Sequence, residues 1–216
     1  MTTILTVDAV LLTLKDNRLH VALFQREAAP YPNVWALPGG YVHEQEDSNA
    51  QAAALRVLRD KAGVDAPYLE EFGTFSGRTR DPRGWALTVV YYALVPERSL
   101  SDKVTLFPVD DLPELAFDHA AIIDAVAARV RSKAGYSSLP VFLCAEPFTI
   151  PELHATYEAV IGEPQNMANF RRKLDDLQIL EELPGQLRAT GRNRKAQLYK
   201  LVAAFKRQLS IRERGF

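Results

Sequence analysis

Two adjacent glycines and several arginines are the residues of this chain best suited to chemistry on a phosphorylated ligand. Gly39 and Gly40 carry no side chain, so the backbone there permits close approach of phosphate oxygens. Guanidinium groups bind phosphates through strong, charge-assisted hydrogen bonds. The arginines that could face such a ligand are Arg26, Arg56, Arg80 and Arg83. Together these residues favour a nucleoside diphosphate pocket, although each arginine taken alone is more commonly a surface residue.

The segment from Leu37 to Val64 resembles the Nudix box. In that family a glycine turn precedes a helix with the pattern G-x5-E-x7-R-E-U-x-E-E-x-G-U, in which U is aliphatic and the glutamates hold magnesium against a nucleoside diphosphate. The glycines, Arg56 and Gly63 match this pattern. Counted back from Gly63, the helical glutamate positions are Val57, Asp60 and Lys61. The resemblance therefore implies a Nudix fold whose metal-binding cluster is reduced to one carboxylate.

The altered positions argue against hydrolysis. Cleavage of a pyrophosphate needs a divalent metal that neutralises the phosphate oxygens and orients water. Valine cannot ligate magnesium, and a nearby ammonium repels it. We therefore expect no enzyme activity, no metal and no required cofactor. The alternatives are an active magnesium-dependent hydrolase that uses Asp60, Glu44 or Glu46, and a helix that is only structural; the interval from Glu46 to Arg56 is two residues longer than the pattern.

Three further residues are candidates for the same pocket. Trp35 or Phe75 could stack on an adenine, but each aromatic is equally well explained as part of the core. His119 ends a segment, Leu115 to His119, that resembles another motif of the Nudix family, and it is either a pocket group or a helix-start residue. Arg56 has a purely structural alternative, since it could pair with Asp60 along the helix.

The pattern of apolar residues predicts the first domain. Hydrophobic residues make up 47% of the 216-residue chain, which suffices for a core. Strands are predicted at 4–14 and 19–25, as a hairpin around the polar turn 15–18, and at 68–76, 85–95 and 104–109. Helices are predicted at about 48–62, with a capping box at Ser48 and Gln51, and at 117–133. Strands that enclose a helix and precede another predict an α/β/α sandwich with a mixed sheet.

The small, polar segment 134–138 is predicted to be a linker, and a second domain is predicted after it. Thr149 and Glu152 form a capping box for a helix that stops at Gly162. A second helix starts at about Gln165, with the apolar stripe Met167, Phe170, Leu174 and Leu177, and segments 186–190 and 197–202 resemble the strands of a wing. This order predicts a winged helix-turn-helix. We place the domains at residues 1–138, for ligand sensing, and 139–216, for DNA binding.

Charge supports DNA binding by the second domain. Residues 1–138 carry 14 Lys and Arg against 18 Asp and Glu, whereas residues 139–216 carry 12 against 9. Amides and an arginine opposite the apolar stripe suit base edges, and flanking cations suit phosphates. A basic helix face can also be merely solvated. The candidate DNA contacts are Gln165, Asn166, Asn169, Arg171, Arg172, Lys173, Arg192, Arg194 and Lys195.

The two domains together resemble the Nudix-related transcriptional regulators of NAD metabolism. The matching segments are Phe148 to Leu153, Tyr157-Glu158, Gly162 and Asn169 to Leu174. Members of that family are dimeric repressors of genes for NAD synthesis or salvage, and ADP-ribose bound to the Nudix-like domain releases them from DNA. The resemblance implies a homodimer on a palindromic double-stranded operator with ADP-ribose as effector. The resemblance does not identify the operator sequence or the regulated genes, and another sugar nucleotide is an alternative effector.

Composition and hydropathy indicate the cellular compartment of the protein. The longest apolar stretch, Trp85 to Val95, is about half the length that crosses a bilayer, and the N-terminus has no basic region leading into an apolar run. The single cysteine, Cys144, cannot form an internal disulfide and is expected to be a reduced, packed thiol. We therefore expect a soluble, cytoplasmic protein without a membrane partner.

Overall fold

The computed structural model describes residues 3–66, 68–189, 194–206 and 209. The chain divides into two compact units. The first comprises residues 1–13, 19–95 and 99–127, and the second comprises residues 14–18, 96–98 and 128–216. Within the described residues, no helix is long and apolar enough to cross a membrane.

The first unit is built on a mixed sheet of seven strands, with β3-β2-β1-β6-β5 in order, β4 paired with β1 and β7 paired with β2. Its strands are β1 (Ile4–Lys15), β2 (Arg18–Gln25), β3 (Trp35–Ala36), β4 (Gly39–Tyr41), β5 (Glu70–Gly77), β6 (Ala86–Leu94) and β7 (Thr105–Pro108). Strand β1 runs parallel to β6, whereas β4 is antiparallel to β1 and β5 to β6. The predicted mixed sheet is confirmed.

The predicted hairpin at the start of the chain is also confirmed. Asp16 and Asn17 join β1 to β2 with positive φ angles of 50° and 57°. A two-residue turn with positive φ at both central positions matches the twist of the strands it joins, and Asp and Asn tolerate this conformation well.

The helix after the glycines covers one face of the central strands. Helix α1 (Ala50–Val57) buries Ala53 and Val57 against Val7 of β1 and Tyr91 of β6. Its N-cap is Asn49, whose side chain accepts a hydrogen bond from the backbone N–H of Ala52 at 2.9 Å. The predicted cap at Ser48 was therefore wrong by one residue, because Asn49 is the extended residue whose side chain reaches the third helical N–H.

The end of this helix is wider than an ordinary α-helix. A π-helical turn, Leu58–Ala62, continues α1 and closes at Gly63, which has a φ of 65°. Leu58 and Ala62 are fully buried in the same core cluster as Leu11 of β1. The apolar spacing predicted a helix to about residue 62, but it carries no signal for a π turn, which tends to occur at functional sites.

Helix α2 (His119–Ala134) follows the sheet, and the second unit continues with a winged helix. Its elements are β8 (Phe148–Thr149), α3 (Ile150–Ile161), α4 (Met167–Leu177), β9 (Leu180–Ala189) and β10 (Lys195–Leu201). Strands β8, β10 and β9 form an antiparallel sheet in that order. The predicted winged helix-turn-helix is confirmed, although α4 starts two residues later than predicted. The wing strands, predicted at 186–190 and 197–202, lie at Leu180–Ala189 and Lys195–Leu201.

The start and end of α3 follow the predicted capping. The Thr149 hydroxyl accepts from the backbone N–H of Glu152 at 3.3 Å, and the Glu152 carboxylate accepts from the backbone N–H of Thr149 at 2.7 Å. Gly162 ends the helix with a φ of 84°. Both features are confirmed, because a capping box and a C-terminal glycine act locally.

The apolar stripe fixes α4 against α3. Phe170 is 2% exposed, and its ring meets the edges of His154 and Tyr157 with centroids 5.0 and 5.1 Å apart. Leu174 and Leu177 are buried on the same side. This packing sets the direction in which the opposite face of α4 points.

The segment predicted to be a linker is packed. Ser137 is fully buried, and its backbone carbonyl accepts a hydrogen bond from the Tyr157 hydroxyl at 3.1 Å. Ser138 is 1% exposed. A buried tyrosine usually needs a partner for its hydroxyl, and here a backbone carbonyl of this segment supplies it.

Candidate functional site

A cavity of about 260 Å³ lies beside the paired strands β1 and β4. It brings together six of the nine residues predicted to bind the ligand, namely Arg26, Gly39, Gly40, Arg80, Arg83 and His119. The remaining lining residues are Thr6, Asp8, Ala28, Ala29, Leu37, Tyr41, Lys61, Asp81 and Phe117. The cavity is therefore lined mainly by charged groups and glycine backbone.

The two glycines differ in what they make possible. Gly39 pairs with Asp8 across β1 and β4, and a Cβ atom on Gly39 would lie 2.0 Å from the Asp8 carboxylate. A Cβ atom on Gly40 would meet Val57 at 3.4 Å, which is an ordinary contact. Gly39 is thus required because a side chain at this position would clash with Asp8, whatever its role toward a phosphate.

Arg80 is held by two carboxylates. Its guanidinium donates to both oxygens of Asp118, at 2.9 and 3.1 Å, and to Asp8 at 3.4 Å. The side chains of Arg80 and Asp8 are each 8% exposed. Buried charges persist only when they are paired, so this group forms a rigid wall of the cavity.

Arg83 lies at the mouth of the cavity. It forms a bidentate pair with Asp81, at 2.7 and 2.9 Å, and donates to the Tyr41 hydroxyl at 2.7 Å. The hydrogen bonds from Arg83 hold the pKa of Asp81 below its ordinary value. Both groups therefore stay charged, and the planar guanidinium is fixed beside the exposed ring of Tyr41.

Arg26 and Lys61 are the other two cations of the cavity. Arg26 donates to the carbonyls of Pro30 and Ala28, at 2.9 and 3.3 Å, and its guanidinium lies 4.9 Å from the centre of the Phe117 ring. Lys61 donates to the Gly39 carbonyl, and its ammonium lies 4.6 Å from the centre of the Phe24 ring. Neutral groups hold both cations in place without neutralising them.

His119 is both the first residue of α2 and a wall of the cavity. It is 3% exposed, and its Nδ1 accepts a hydrogen bond from the backbone N–H of Leu37 at 3.0 Å. This bond places the proton of the neutral ring on Nε2, which lies 3.7 Å from Asp8. Burial lowers the pKa of His119, so the ring is neutral.

Three predicted ligand residues do not line this cavity. Trp35 packs edge-on against Phe107 with ring centroids 5.0 Å apart. Phe75 lies on β5, where it stacks near-parallel with Phe72. The structure therefore places the two aromatics with other aromatic rings and not at Gly39 and Gly40.

Arg56 is the third residue outside the cavity. It forms a bidentate pair with Asp47, at 2.9 and 2.7 Å, and donates to the Tyr41 carbonyl at 3.0 Å. These hydrogen bonds lower the pKa of Asp47 to about 2. The alternative of a pair with Asp60 along the helix was wrong, because the loop before α1 brings Asp47 to the arginine.

Several lining residues were missed by the sequence analysis. Asp8 left a usable signal, because a lone carboxylate inside an apolar strand must have buried partners. Phe117 left none, although its φ of 57° is unusual for an aromatic residue and marks a constrained position. Tyr41 reaches the cavity through the pairing of β4 with β1, and Asp81 through the loop between β5 and β6, and local sequence carries no pattern for either.

The residues present do not fit a magnesium ion at the box helix. Val57 is 2% exposed and belongs to the core. Asp60 is exposed and does not line the cavity, whereas Lys61 does. Glu44 and Glu46 are exposed, and Glu46 lies 3.1 Å from the His43 ring. Within the described residues, no group of three or more metal-ligating side chains is found.

The second unit presents a basic face on α4. Asn169, Arg171 and Arg172 are exposed, and Arg172 donates to Asn169 at 3.2 Å. Lys173 is half-buried. An asparagine and an arginine held together on the exposed side of a helix suit recognition of base edges.

Two residues predicted to contact DNA have structural roles at the start of α4. The Asn166 side chain accepts from the backbone N–H of Asn169 at 3.0 Å and is the N-cap of α4. Gln165 lies in the turn, where its backbone N–H donates to Glu158 at 2.8 Å and its carbonyl lies 2.8 Å from the His154 ring. Their backbone groups and the Asn166 side chain thus position the helix.

The wing supplies cations beside α4. Arg194 and Lys195 are exposed at the start of β10, and Arg192 lies outside the described residues. A groove of about 810 Å³ runs between the two elements and is lined by Arg171 from α4 and Lys195 from β10. Arg171 and Lys195 therefore lie on one concave surface, together with the carboxylate of Asp175.

Both units match known families. Residues 3–126 match the NUDIX domain, and residues 140–201 match the NrtR DNA-binding winged helix domain. The chain is 36% identical over 208 residues to the ADPR responsive transcriptional repressor NtrR of Acinetobacter baylyi. The match covers 92% of this chain and 82% of that protein.

Solved structures agree with these matches. Shewanella oneidensis NrtR complexed with a 27mer DNA is 37% identical, with a TM-score of 0.88 over 98% of this chain and 99% of that one. The NUDIX domain of that protein complexed with ADP ribose is 40% identical, with a TM-score of 0.55 over 60% of this chain and 89% of that one. With a Nudix domain over more than half of its length and a winged helix after it, the chain belongs to the NrtR family of Nudix-related transcriptional regulators.

Proposed function

We propose that this protein is a transcriptional repressor whose winged helix binds operator DNA and whose Nudix domain binds ADP-ribose, which releases the protein from DNA. The observation that carries this proposal is the match to DNA-bound NrtR over nearly the whole chain. The basic face of α4 and the cations of the wing support binding to DNA. The cavity beside β4 supports binding of a nucleotide sugar.

The charges of the cavity suit a diphosphate. Arg26, Lys61, Arg80 and Arg83 line it together with the carboxylates of Asp8 and Asp81. The paired arginines shape the walls, and the remaining positive charge is available to the phosphates. A nucleoside diphosphate sugar carries a negative charge on each phosphate, and among the described residues Arg26 and Lys61 are the two lining cations without a carboxylate in direct contact that could bind these charges.

The DNA target is proposed to be a palindromic operator at genes of NAD synthesis or salvage, bound by a homodimer. Winged helices commonly read symmetric half-sites as dimers, and the family resemblance points to NAD metabolism. Direct base contacts are proposed for Asn169 and Arg172, and phosphate contacts for Arg171, Lys173, Arg194 and Lys195. A repressor of this kind acts in the cytoplasm, where bacterial operators are found.

We also propose that the Nudix domain binds its ligand without hydrolysing it. Support comes from the box helix, where Val57 is in the core and Lys61 points an ammonium at the ligand cavity. Incubation of the protein with ADP-ribose and Mg²⁺ should leave the nucleotide intact. Production of AMP at the rate of an enzyme would instead establish the hydrolase alternative.

Capture of genomic DNA tests the repressor function directly. Purified protein is mixed with fragmented genomic DNA at near-physiological salt, with and without ADP-ribose, and the retained fragments are sequenced. We expect enrichment of a palindrome that ADP-ribose abolishes. Physiological salt is essential, since weak binding of cations to phosphates is lost there while specific binding persists. Enrichment that is the same with and without ADP-ribose would contradict ADP-ribose as the effector. Absence of any enrichment would contradict specific binding to an operator.

A further inference from the structure

We infer that Lys61 takes the place of the magnesium ion of a Nudix enzyme, so that a side-chain ammonium neutralises the diphosphate of the effector and no divalent cation is needed for binding. The inference rests on the proposed binding of ADP-ribose and goes beyond it by naming the counterion. It concerns the one position of the box at which a glutamate has become a cation.

Lys61 is placed where the phosphates would lie. It lines the cavity, and its ammonium is fixed by the Gly39 carbonyl and by the face of the Phe24 ring at 4.6 Å. An ammonium has three N–H donors, so the bond to Gly39 leaves others for a ligand. The lysine is therefore oriented beside the glycine turn before any ligand arrives.

The balance of charge in the cavity singles out two cations. Arg80 is paired with Asp8 and Asp118, and Arg83 with Asp81. By contrast, the contacts that hold Arg26 and Lys61 are carbonyl oxygens and aromatic rings. Their positive charge remains available to a ligand, and a diphosphate brings one negative charge for each of them.

The protein compensates the charge of Lys61 only in part. Burial and the nearby charge of Arg26 lower the pKa of Lys61, and the carboxylate of Asp8 offsets part of this effect. Two like charges in a partly dry cavity repel each other, and a bound diphosphate would relieve that repulsion. Such a cost is typical of residues that are selected for binding and not for stability.

A magnesium ion and Lys61 exclude one another at this place. The ammonium would repel a divalent cation, and Val57, the neighbouring box position on the same helical face, offers only methyl groups in the core. Asp60 is exposed outside the cavity. The substitution of Lys61 therefore both removes the metal and replaces its charge.

Titration calorimetry on the full-length protein with ADP-ribose tests this inference, in EDTA and again in excess Mg²⁺. The variant Lys61→Gln keeps a donor for Gly39 and loses the charge, and Lys61→Arg keeps the charge. Lys103→Gln is the matched control, because Lys103 donates to the Asp60 carbonyl at 3.1 Å, is exposed and does not line the cavity. Lys61→Met replaces the glutamine variant if thermal melting shows that the latter is not folded.

We expect the wild type to bind equally well in both buffers. Lys61→Gln should bind roughly 10- to 100-fold more weakly, which corresponds to the loss of one charge-assisted contact, while Lys61→Arg and Lys103→Gln should stay within roughly 10-fold of the wild type. An unchanged melting temperature in the glutamine variant would show that the loss is one of ligand contact and not of fold.

The possible failures are distinguishable. A wild type that binds ADP-ribose only with Mg²⁺ would overturn the inference and leave the proposed function intact. Equal affinity of the wild type and a folded, uncharged variant at position 61 would do the same. A wild type that binds no ADP-ribose in either buffer would overturn the proposed effector, and the role of Lys61 with it.

Discussion

Asp8 connects the parts of the ligand cavity to one another. It is 5% exposed in the middle of β1, and its carboxylate meets Arg80, His119 and the backbone of Gly39. A carboxylate at this depth is stable only because a charged partner and close backbone compensate for lost water. Changes to any one of these neighbours should therefore affect the stability of the first unit as well as binding.

Replacement of Arg80 should destabilise the protein strongly. Arg80→Met keeps much of the apolar stem but leaves the carboxylates of Asp8 and Asp118 without their shared cation. Loss of one partner of a buried ion pair costs about 3 kcal/mol or more, and urea unfolding measures this change. Arg78→Met, which alters an exposed arginine two residues earlier, should change stability by less than about 0.5 kcal/mol. Similar values for the two variants would contradict a structural role for the Arg80 pair.

His119 should make the protein less stable in mild acid. Burial keeps its pKa below that of an unfolded histidine, about 6.5, despite the neighbouring Asp8 and Asp118. Below that pH the unfolded chain takes up a proton that the folded chain does not, so stability falls as pH falls, by at most about 1.4 kcal/mol per pH unit. His119→Asn can still accept from Leu37 without titrating. Between about pH 7 and pH 5, the free energy of unfolding of this variant should decrease less than that of the wild type. The exposed control His43→Asn should follow the wild type.

At the scale of elements, the pairing of β4 with β1 decides what the glycine turn can do. The register Asp8 with Gly39 and Val7 with Gly40 puts one glycine over a carboxylate and the other over α1. Two glycines that look equivalent in the sequence therefore have different tolerances for a side chain.

The two glycines provide a matched pair of substitutions. Gly39→Ala would place a methyl group 2.0 Å from the Asp8 carboxylate, so β4 or Asp8 must move. Because overpacking typically costs about 1 to 3 kcal/mol, we expect that loss in urea unfolding together with impaired ADP-ribose binding. Gly40→Ala makes only an ordinary contact with Val57 and should cost well under that. Equal effects of the two substitutions would show that Asp8 does not constrain the turn.

Helix α4 and the wing should contribute differently to DNA binding. Arg172, held by Asn169, is proposed to contact bases, so Arg172→Ala should weaken operator binding by about 1 to 3 kcal/mol and leave non-specific binding nearly unchanged. Lys195→Ala should weaken both kinds of binding and reduce the slope of log K against log salt by about 1. Fluorescence anisotropy at several salt concentrations measures both. A salt slope that Lys195→Ala leaves unchanged would remove the wing start from the phosphate contacts.

At the scale of the whole molecule, the distribution of charge matches a division of labour. The acidic first part contains a locally electropositive cavity for a small anion, and the basic last part presents exposed cations suited to a polyanion. A repressor with these two sites must couple them through a difference in free energy between its DNA-bound and ligand-bound states.

Coupling between the two sites must be reciprocal. If ADP-ribose weakens operator binding by some factor, the operator weakens ADP-ribose binding by the same factor, for which typical values are about 5- to 150-fold. Calorimetric titration of ADP-ribose into the free protein and into its operator complex gives one factor, and DNA titration with saturating ADP-ribose gives the other. Equal ADP-ribose affinity in the free and DNA-bound protein would exclude release by this effector.

The sequence by itself determined the features that depend on neighbours along the chain. The capping box of α3, the apolar stripe of α4, the hairpin of β1 and β2 and the changed carboxylate positions of the box helix could all be predicted, because helix periodicity, turn chemistry and motif spacing are local. These features were also enough to predict both domains and their family.

Only the tertiary structure decided which side chains meet. Asp8 and Arg80 are far apart in sequence and are paired through the fold, Arg56 is taken by Asp47, and Trp35 and Phe75 pack on other rings away from the glycines. The contact of Lys61 with Gly39 depends on how α1 and its π turn lie over β4. Strand pairing and the packing of loops set these contacts, and neither spacing nor residue type reveals which side chains the fold brings together.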